Sequence, residues 1–228
     1  MKIGGFLPFS LIDYPGCISA VIFTQGCNFR CPYCHNPELV DPMQFNQCLN
    51  EDTVLSFLEK RRGRLDGVTI TGGEPMIHKD LPSLIREIKK MGFAVKVDTN
   101  GSNPEILHEL IVEKLIDFVA MDIKGPLEKY SWVAGVPVDL KNIRRSIEIV
   151  MNAPISSEFR TTVVSALLDE ADLQQVTELI KGTRSYVLQP FQPSKTLNQR
   201  FLKLEPTGEE WMEVLKGVLA QDLAIHIR

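Results

Sequence analysis

From residue 18 onward the chain alternates between short β-branched apolar runs and amphipathic segments, and no other feature restricts its fold as strongly. ISAVIFT precedes DTVLSFLEKRR, GVTIT precedes DLPSLIREIKKMG, and FAVKVDT precedes PEILHELIVEKL. The pattern continues with IDFVAMDIK and LKNIRRSIEIVMN, then EFRTTVV and LQQVTELIKG, and SYVLQPF ends the series. Runs rich in Val, Ile, Thr and Phe fit strands, whereas apolar residues spaced three and four apart fit helices with one buried face. Continuous apolar strands joined by helical crossovers demand a parallel sheet, and right-handed crossovers curl it. The expected fold is therefore α/β: a partial (βα)6 barrel of parallel strands with outer helices. A chain of 228 residues suits one core of this kind. We expect a single domain over 1–228, with the barrel core at about 16–193. A final helix around GEEWMEVLKGVL and a strand around LAIHIR should occupy about 207–228.

In parallel α/β folds chemistry gathers where strands end and loops begin. The longest expected loop, HNPELVDPMQFNQCLN at 35–50, directly follows a cluster of cysteines. Cys27, Cys31 and Cys34 form C-x3-C-x2-C just after the first of the strands above, and Cys17 and Cys48 are the other two of the five. Three thiols within eight residues read as metal ligation rather than as a disulfide framework. Three thiolates on a compact loop can hold three irons of a cubane and leave the fourth open to substrate. A zinc site would need a fourth ligand, for which His35 is too close in sequence to Cys34, and a redox C-x2-C would leave Cys27 unused. The spacing thus favours a cluster, with zinc and redox as the competing readings. Cys17 and Cys48 fit packing roles.

A formal net charge of −4 gives no broad basic field for nucleic acid or an anionic membrane. The start of the chain, MKIGGFLPFSLIDYPG, lacks the apolar stretch of a signal peptide, and no segment has the length of a membrane span. Neither nucleic acid nor membrane is an expected partner, and the expected location is the cytoplasm.

The spacing C-x3-C-x-aromatic-C, with Tyr33 in the aromatic place, resembles the radical S-adenosylmethionine superfamily, and the resemblance runs along the strands to about residue 193. It implies a [4Fe–4S] cluster on Cys27, Cys31 and Cys34 with S-adenosylmethionine on the open iron. TITGGEP places Gly72, Gly73 and Glu74 after the second of these strands, where the resemblance implies contact with the cofactor's amino group. KVDTNG brings Asp98, Thr99 and Asn100 to the end of the next, and AMDIKG brings Asp122 and Lys124. Strand alternation sets Asp122 and Lys124 on one face, suited to an amino acid zwitterion. The activases of glycyl radical enzymes contact the methionyl group with these elements, and the likeness implies a candidate monovalent cation site at Asp98, Thr99, Met121 and Asp122. Arg160 in EFRTTVV resembles an activase arginine near the cofactor carboxylate. In LQPFQP, Gln192 stands where that group carries a histidine directed to the ribose, with Gln189 nearby. Glutamine can bond a hydroxyl but cannot move a proton, so no residue is assigned as acid or base.

The leading stretch SLIDYPGCISAVIFTQGCNFRCPYCHN most closely resembles the activating proteins of anaerobic ribonucleoside-triphosphate reductase, with pyruvate formate-lyase activase as a near relative. That likeness implies an oxidoreductase that reductively cleaves S-adenosylmethionine and abstracts the α-hydrogen of a glycine in a partner enzyme. The implied partner is an anaerobic ribonucleotide reductase, and the implied electron source is an external donor such as flavodoxin or ferredoxin. With no cysteine after Cys48, auxiliary clusters are not expected. The alternatives are a small-molecule enzyme of the superfamily, such as 7-carboxy-7-deazaguanine synthase, and a zinc-binding interaction module without catalysis.

Overall fold

The computed structural model describes residues 1–220 and 223–228. Its eight strands form one sheet in chain order: β1 (Ile3–Ser10), β2 (Ser19–Thr24), β3 (Gly67–Gly72), β4 (Ala94–Thr99), β5 (Phe118–Asp122), β6 (Ser156–Val163), β7 (Tyr186–Pro190) and β8 (Ile225–Ile227). Every neighbouring pair from β2 to β8 is parallel. Strand order equal to chain order means that each crossover steps to the adjacent strand, which is how a sheet curls into a barrel. Among the described residues β1 and β8 are the edges of the sheet, so it forms a partial barrel.

Among the described residues eight α-helices accompany the strands: α1 (Pro37–Val40), α2 (Glu51–Glu59), α3 (Leu81–Lys90), α4 (Pro104–Val112), α5 (Tyr130–Ala134), α6 (Leu140–Met151), α7 (Glu170–Leu179) and α8 (Glu209–Leu219). Their starts follow from the sequence. Asn103 and Asp139 accept backbone N–H bonds at the caps of α4 and α6, and Asp169 and Asp172 form a capping box on α7. Fully buried Leu81, Leu84, Ile85 and Ile88 turn one face of α3 to the sheet. Among the described residues no helix is long and apolar enough to cross a membrane.

Three features differ from the sequence reading. An additional strand, β1, precedes the first expected one and runs antiparallel to β2. Its Leu7 and Phe9 are exposed and its ladder is irregular at two places, so the stretch lacks the buried apolar pattern of its neighbours. The short α5 lies between β5 and α6. Finally, β4 and β6 are not apolar on both faces: Val95 and Val97 face the helices, while Lys96 and Asp98 point into the barrel, as do Glu158 and Arg160. The C-terminal helix and strand are present as α8 and β8, with residues 221–222 of the expected 207–228 segment outside the described residues.

Candidate active site

The loop after β2 carries Cys27, Cys31 and Cys34 and is fastened on three sides. Arg30 N–H donates to the Ala134 carbonyl at the end of α5, at 2.8 Å. The Arg30 guanidinium turns back to the carbonyls of Cys27 and Phe29 at 2.6 and 2.8 Å. Asn28 donates to Ser102 Oγ at 2.8 Å and accepts from Asn100 Nδ2 at 2.9 Å, which ties the loop to the turn after β4. From the far end of the chain, Leu197 and Asn198 donate backbone bonds to the carbonyls of Cys34 and Pro32. His35 stacks on Phe191 with 5.7 Å between ring centroids, and its Nε2 bonds the Gln192 carbonyl at 2.8 Å.

The three thiols line one cavity of about 250 Å³ at the C-terminal ends of the parallel strands. Burial pushes the Cys27 thiol up to about 12, the Glu74 carboxylate adding to the effect, and burial likewise raises Cys31 and Cys34. The free thiols thus keep their protons until a metal replaces them. Among the described residues no three Cys, His, Asp or Glu side chains converge as the ligands of a single ion would. Three thiols lining one cavity suit the three-thiolate ligation of a cubane, whereas a structural zinc site closes with four ligands.

Gly72, Gly73 and Glu74 also line the cavity. The glycines are required by the chain itself: a Cβ on Gly73 would sit 1.9 Å from the Gly26 carbonyl oxygen, immediately before Cys27. Glu74 is buried and fully engaged. Its Oε1 accepts from Met76 N–H and the Thr99 hydroxyl at 3.1 and 2.8 Å, and its Oε2 from Asn100 N–H at 2.7 Å. Burial nevertheless outweighs these three donors and lifts its carboxyl to about 7. Glu74 therefore joins the turn after β3 to the turn after β4.

Opposite the thiols stands a charged ladder across three strands. Arg160 Nε donates to Asp122 Oδ1 at 2.8 Å and its Nη1 to Asp98 Oδ2 at 3.1 Å, while Lys124 Nζ donates to Asp122 Oδ2 at 3.1 Å. Burial alone would raise the Asp122 carboxyl, but Arg160 and Lys124 hold it down at about 2. Burial works against the charged Lys124 and Arg160, and their carboxylate partners overcome it and raise both. Asp122 keeps 30% of its side chain accessible because it faces the cavity. Lys124 and Arg160, paired with Asp122 on the cavity wall, supply cationic hydrogen-bond donors that suit an anionic group.

Tyr33, Asp98, Thr99, Asn100, Asp122, Lys124, Arg160 and Gln189 all line this cavity. Two expected residues do not. Met121 points away, fully buried on the helix-covered face of β5 beside Gly101. Gln192 lies beyond the end of β7 with its side chain exposed, and what it contributes is the carbonyl that receives His35. Sequence reasoning passed over Phe29, Asn36 and Thr162 on the cavity wall, Asn28 as a fastener, and Lys96. Lys96 was open to detection, since it stands two residues before Asp98 on the same strand face.

Residues 21–181 match the family described as the Radical SAM superfamily. A protein of Methanocaldococcus jannaschii, provisionally described as a glycyl-radical enzyme activating enzyme, is 36% identical over 93% of this chain and 89% of its own length. The pyruvate formate-lyase-activating enzyme of Clostridium pasteurianum is 28% identical over 82% of this chain and 79% of its length. A 7-carboxy-7-deazaguanine synthase of Thermococcus kodakarensis is 24% identical over 78% and 76% respectively. Among solved structures, Streptococcus suis SuiB bound to S-adenosylmethionine superposes with a TM-score of 0.64 at 12% identity, over 91% of this chain and 51% of that one.

Proposed function

The chain belongs to the radical SAM superfamily, and from that premise we propose that it activates a glycyl radical enzyme by abstracting the α-hydrogen of a glycine in that partner. The observation that carries the reading is the cavity in which three cysteine thiols face a charged ladder. When bound, the superfamily's [4Fe–4S] cluster and S-adenosylmethionine supply a one-electron cleavage of the sulfonium that ends in hydrogen abstraction.

The chain's own residues have narrower tasks. Cys27, Cys31 and Cys34 would hold three irons, and the fastening of their loop fixes where the fourth faces. Lys124 and Arg160 would receive the carboxylate of the cofactor, with Asp122 restraining both cations. Gln189, which lines the cavity, would bond a ribose hydroxyl in preference to Gln192, which is exposed beyond β7. A charge-assisted hydrogen bond is worth about 1.5–3 kcal/mol, so Lys124→Ala or Arg160→Ala should weaken cofactor binding by roughly one to two powers of ten.

For the partner we propose an anaerobic ribonucleotide reductase, supported by the DYPG stretch before β2 and the Cys34-His35-Asn36 run after the last thiol. A one-electron donor of the flavodoxin or ferredoxin class would feed the cluster. A small-molecule reaction is the second reading, favoured by the likeness to 7-carboxy-7-deazaguanine synthase. The two separate in one experiment. Reduced protein, S-adenosylmethionine and the reductase are mixed without oxygen, and electron paramagnetic resonance is used to look for a glycyl doublet. A doublet that disappears when the radical glycine of the reductase is changed to alanine supports activation. Cofactor cleavage that leaves every glycyl enzyme without a radical, while a pterin is turned over, overturns it.

A further inference from the structure

We propose that the monovalent cation expected at Asp98, Thr99, Met121 and Asp122 has no place in this protein, because the ammonium of Lys96 is a built-in counter-ion at that position. An alkali cation is a hard ion that needs several oxygen donors directed at one point. Here each candidate side-chain oxygen already has a hydrogen-bond partner. Lys96 Nζ takes Asp98 Oδ1, and Arg160 Nη1 takes Asp98 Oδ2 at 3.1 Å. Arg160 Nε and Lys124 Nζ take the two oxygens of Asp122 at 2.8 and 3.1 Å. The Thr99 hydroxyl donates to Glu74 at 2.8 Å and accepts from Gly101 N–H at 3.1 Å. Met121 lies on the opposite face of its strand, against the Gly101 turn.

Charge gives the same answer. Lys96, Arg160 and Lys124 already supply Asp98 and Asp122 with counter-charge, and Arg228 supplies the inward Glu158, so no carboxylate of this ladder is left without a cation. Lys96 is held for this purpose. Its side chain is 1% exposed, its ammonium lies 5.8 Å from the centre of the Phe118 ring, and the two-residue spacing on β4 sets it directly beneath Asp98. A tethered cation loses no translational freedom on binding, whereas a free ion must be captured from solution. Lys96 is thus a positioning residue: it orients Asp98, which orients Arg160 at the cavity.

The test needs no cofactor, so its failure would leave the activase reading untouched. Thermal unfolding of the cluster-free chain is followed at matched ionic strength in potassium, sodium or N-methylglucamine chloride. The native protein should melt at one temperature in all three. Lys96→Met frees an Asp98 oxygen, and this variant should melt higher in potassium or sodium than in N-methylglucamine by about 2–4 °C. Lys96→Gln serves as the second variant if Lys96→Met does not fold. A native protein whose melting temperature follows the cation overturns the proposal whatever the variants do. A folded variant that ignores the cation overturns the role given to Lys96.

Discussion

Gly135→Ala and Gly63→Ala form a matched pair that measures what the contact between α5 and the cysteine loop is worth. Both glycines adopt left-handed φ, +71° at Gly135 and +69° at Gly63. Placing a Cβ in that conformation costs about 1–2 kcal/mol at either position. What differs is the neighbour. An added Cβ at Gly63 meets nothing within 4 Å, whereas at Gly135 it falls 2.2 Å from the Arg30 carbonyl oxygen. That gap is about 1 Å short of contact, so backbone must move, and overpacking of this kind costs about 1–3 kcal/mol more. Gly135→Ala should therefore lose about 2–5 kcal/mol and Gly63→Ala about 1–2. Urea unfolding of the cluster-free proteins measures the difference, with Trp132 inside α5 as a local reporter. Because the displaced group is Arg30, which brackets Cys27, anaerobic reconstitution should also load less iron into Gly135→Ala, while Gly63→Ala loads as the native protein does. Equal losses in urea for the two variants would refute the claim that α5 braces the loop.

Two further outcomes are expected. Replacing Cys27, Cys31 or Cys34 with alanine should abolish cluster retention, whereas Cys17→Ala and Cys48→Ala should keep it; iron and sulfide assays after reconstitution check this, and equal damage from Cys48→Ala would contradict the ligand set. Arg160→Met removes the main cation holding Asp122 at about 2, below its ordinary 3.8, and so removes stability that the native protein possesses above pH 3.8 and loses as pH falls through 2. The native protein should accordingly exceed the variant by about 1–2 kcal/mol at neutral pH, a gap that closes between about pH 4 and 2 in urea titrations. A gap constant down to pH 2.5 would exclude Asp122 as its source.

The parallel strands were legible because each is a run of β-branched residues between turn formers, and because α2, α4, α6 and α7 open on a capping Asn or Asp and carry buried apolar residues. β1 was hidden for the opposite reasons: it begins Ile3, Gly4, Gly5, contains Pro8, and shows Leu7 and Phe9 to solvent. The cavity was legible where polar residues end apolar strands, at Glu74, Asp98, Asp122 and Arg160. Its errors came from strand parity. If Asp122 faces the cavity, Met121 must face the helices, and if Asp98 faces inward so must Lys96. The separate positions of Gln189 and Gln192 depend on β7 ending at Pro190, and the fasteners Asn28 and Arg30 depend on contacts with distant turns. Spacing within the motif carries no record of those.

The fastening of the cysteine loop also sets a timetable for making the protein. Its anchors are at Ser102, Ala134, Leu197 and Asn198, so the last two are translated roughly 170 residues after Cys27. At about 5–20 residues per second that interval lasts about 10–30 s. During it the three thiols have left the ribosome without the clamp that will hold them in place. Oxygen, stray metals and wrong thiol partners therefore have their best access to a growing chain rather than to a finished one. Iron and sulfide delivered after release meet a loop whose shape is already set, and slower translation between Cys34 and Asn198 should lower the yield of protein able to accept them.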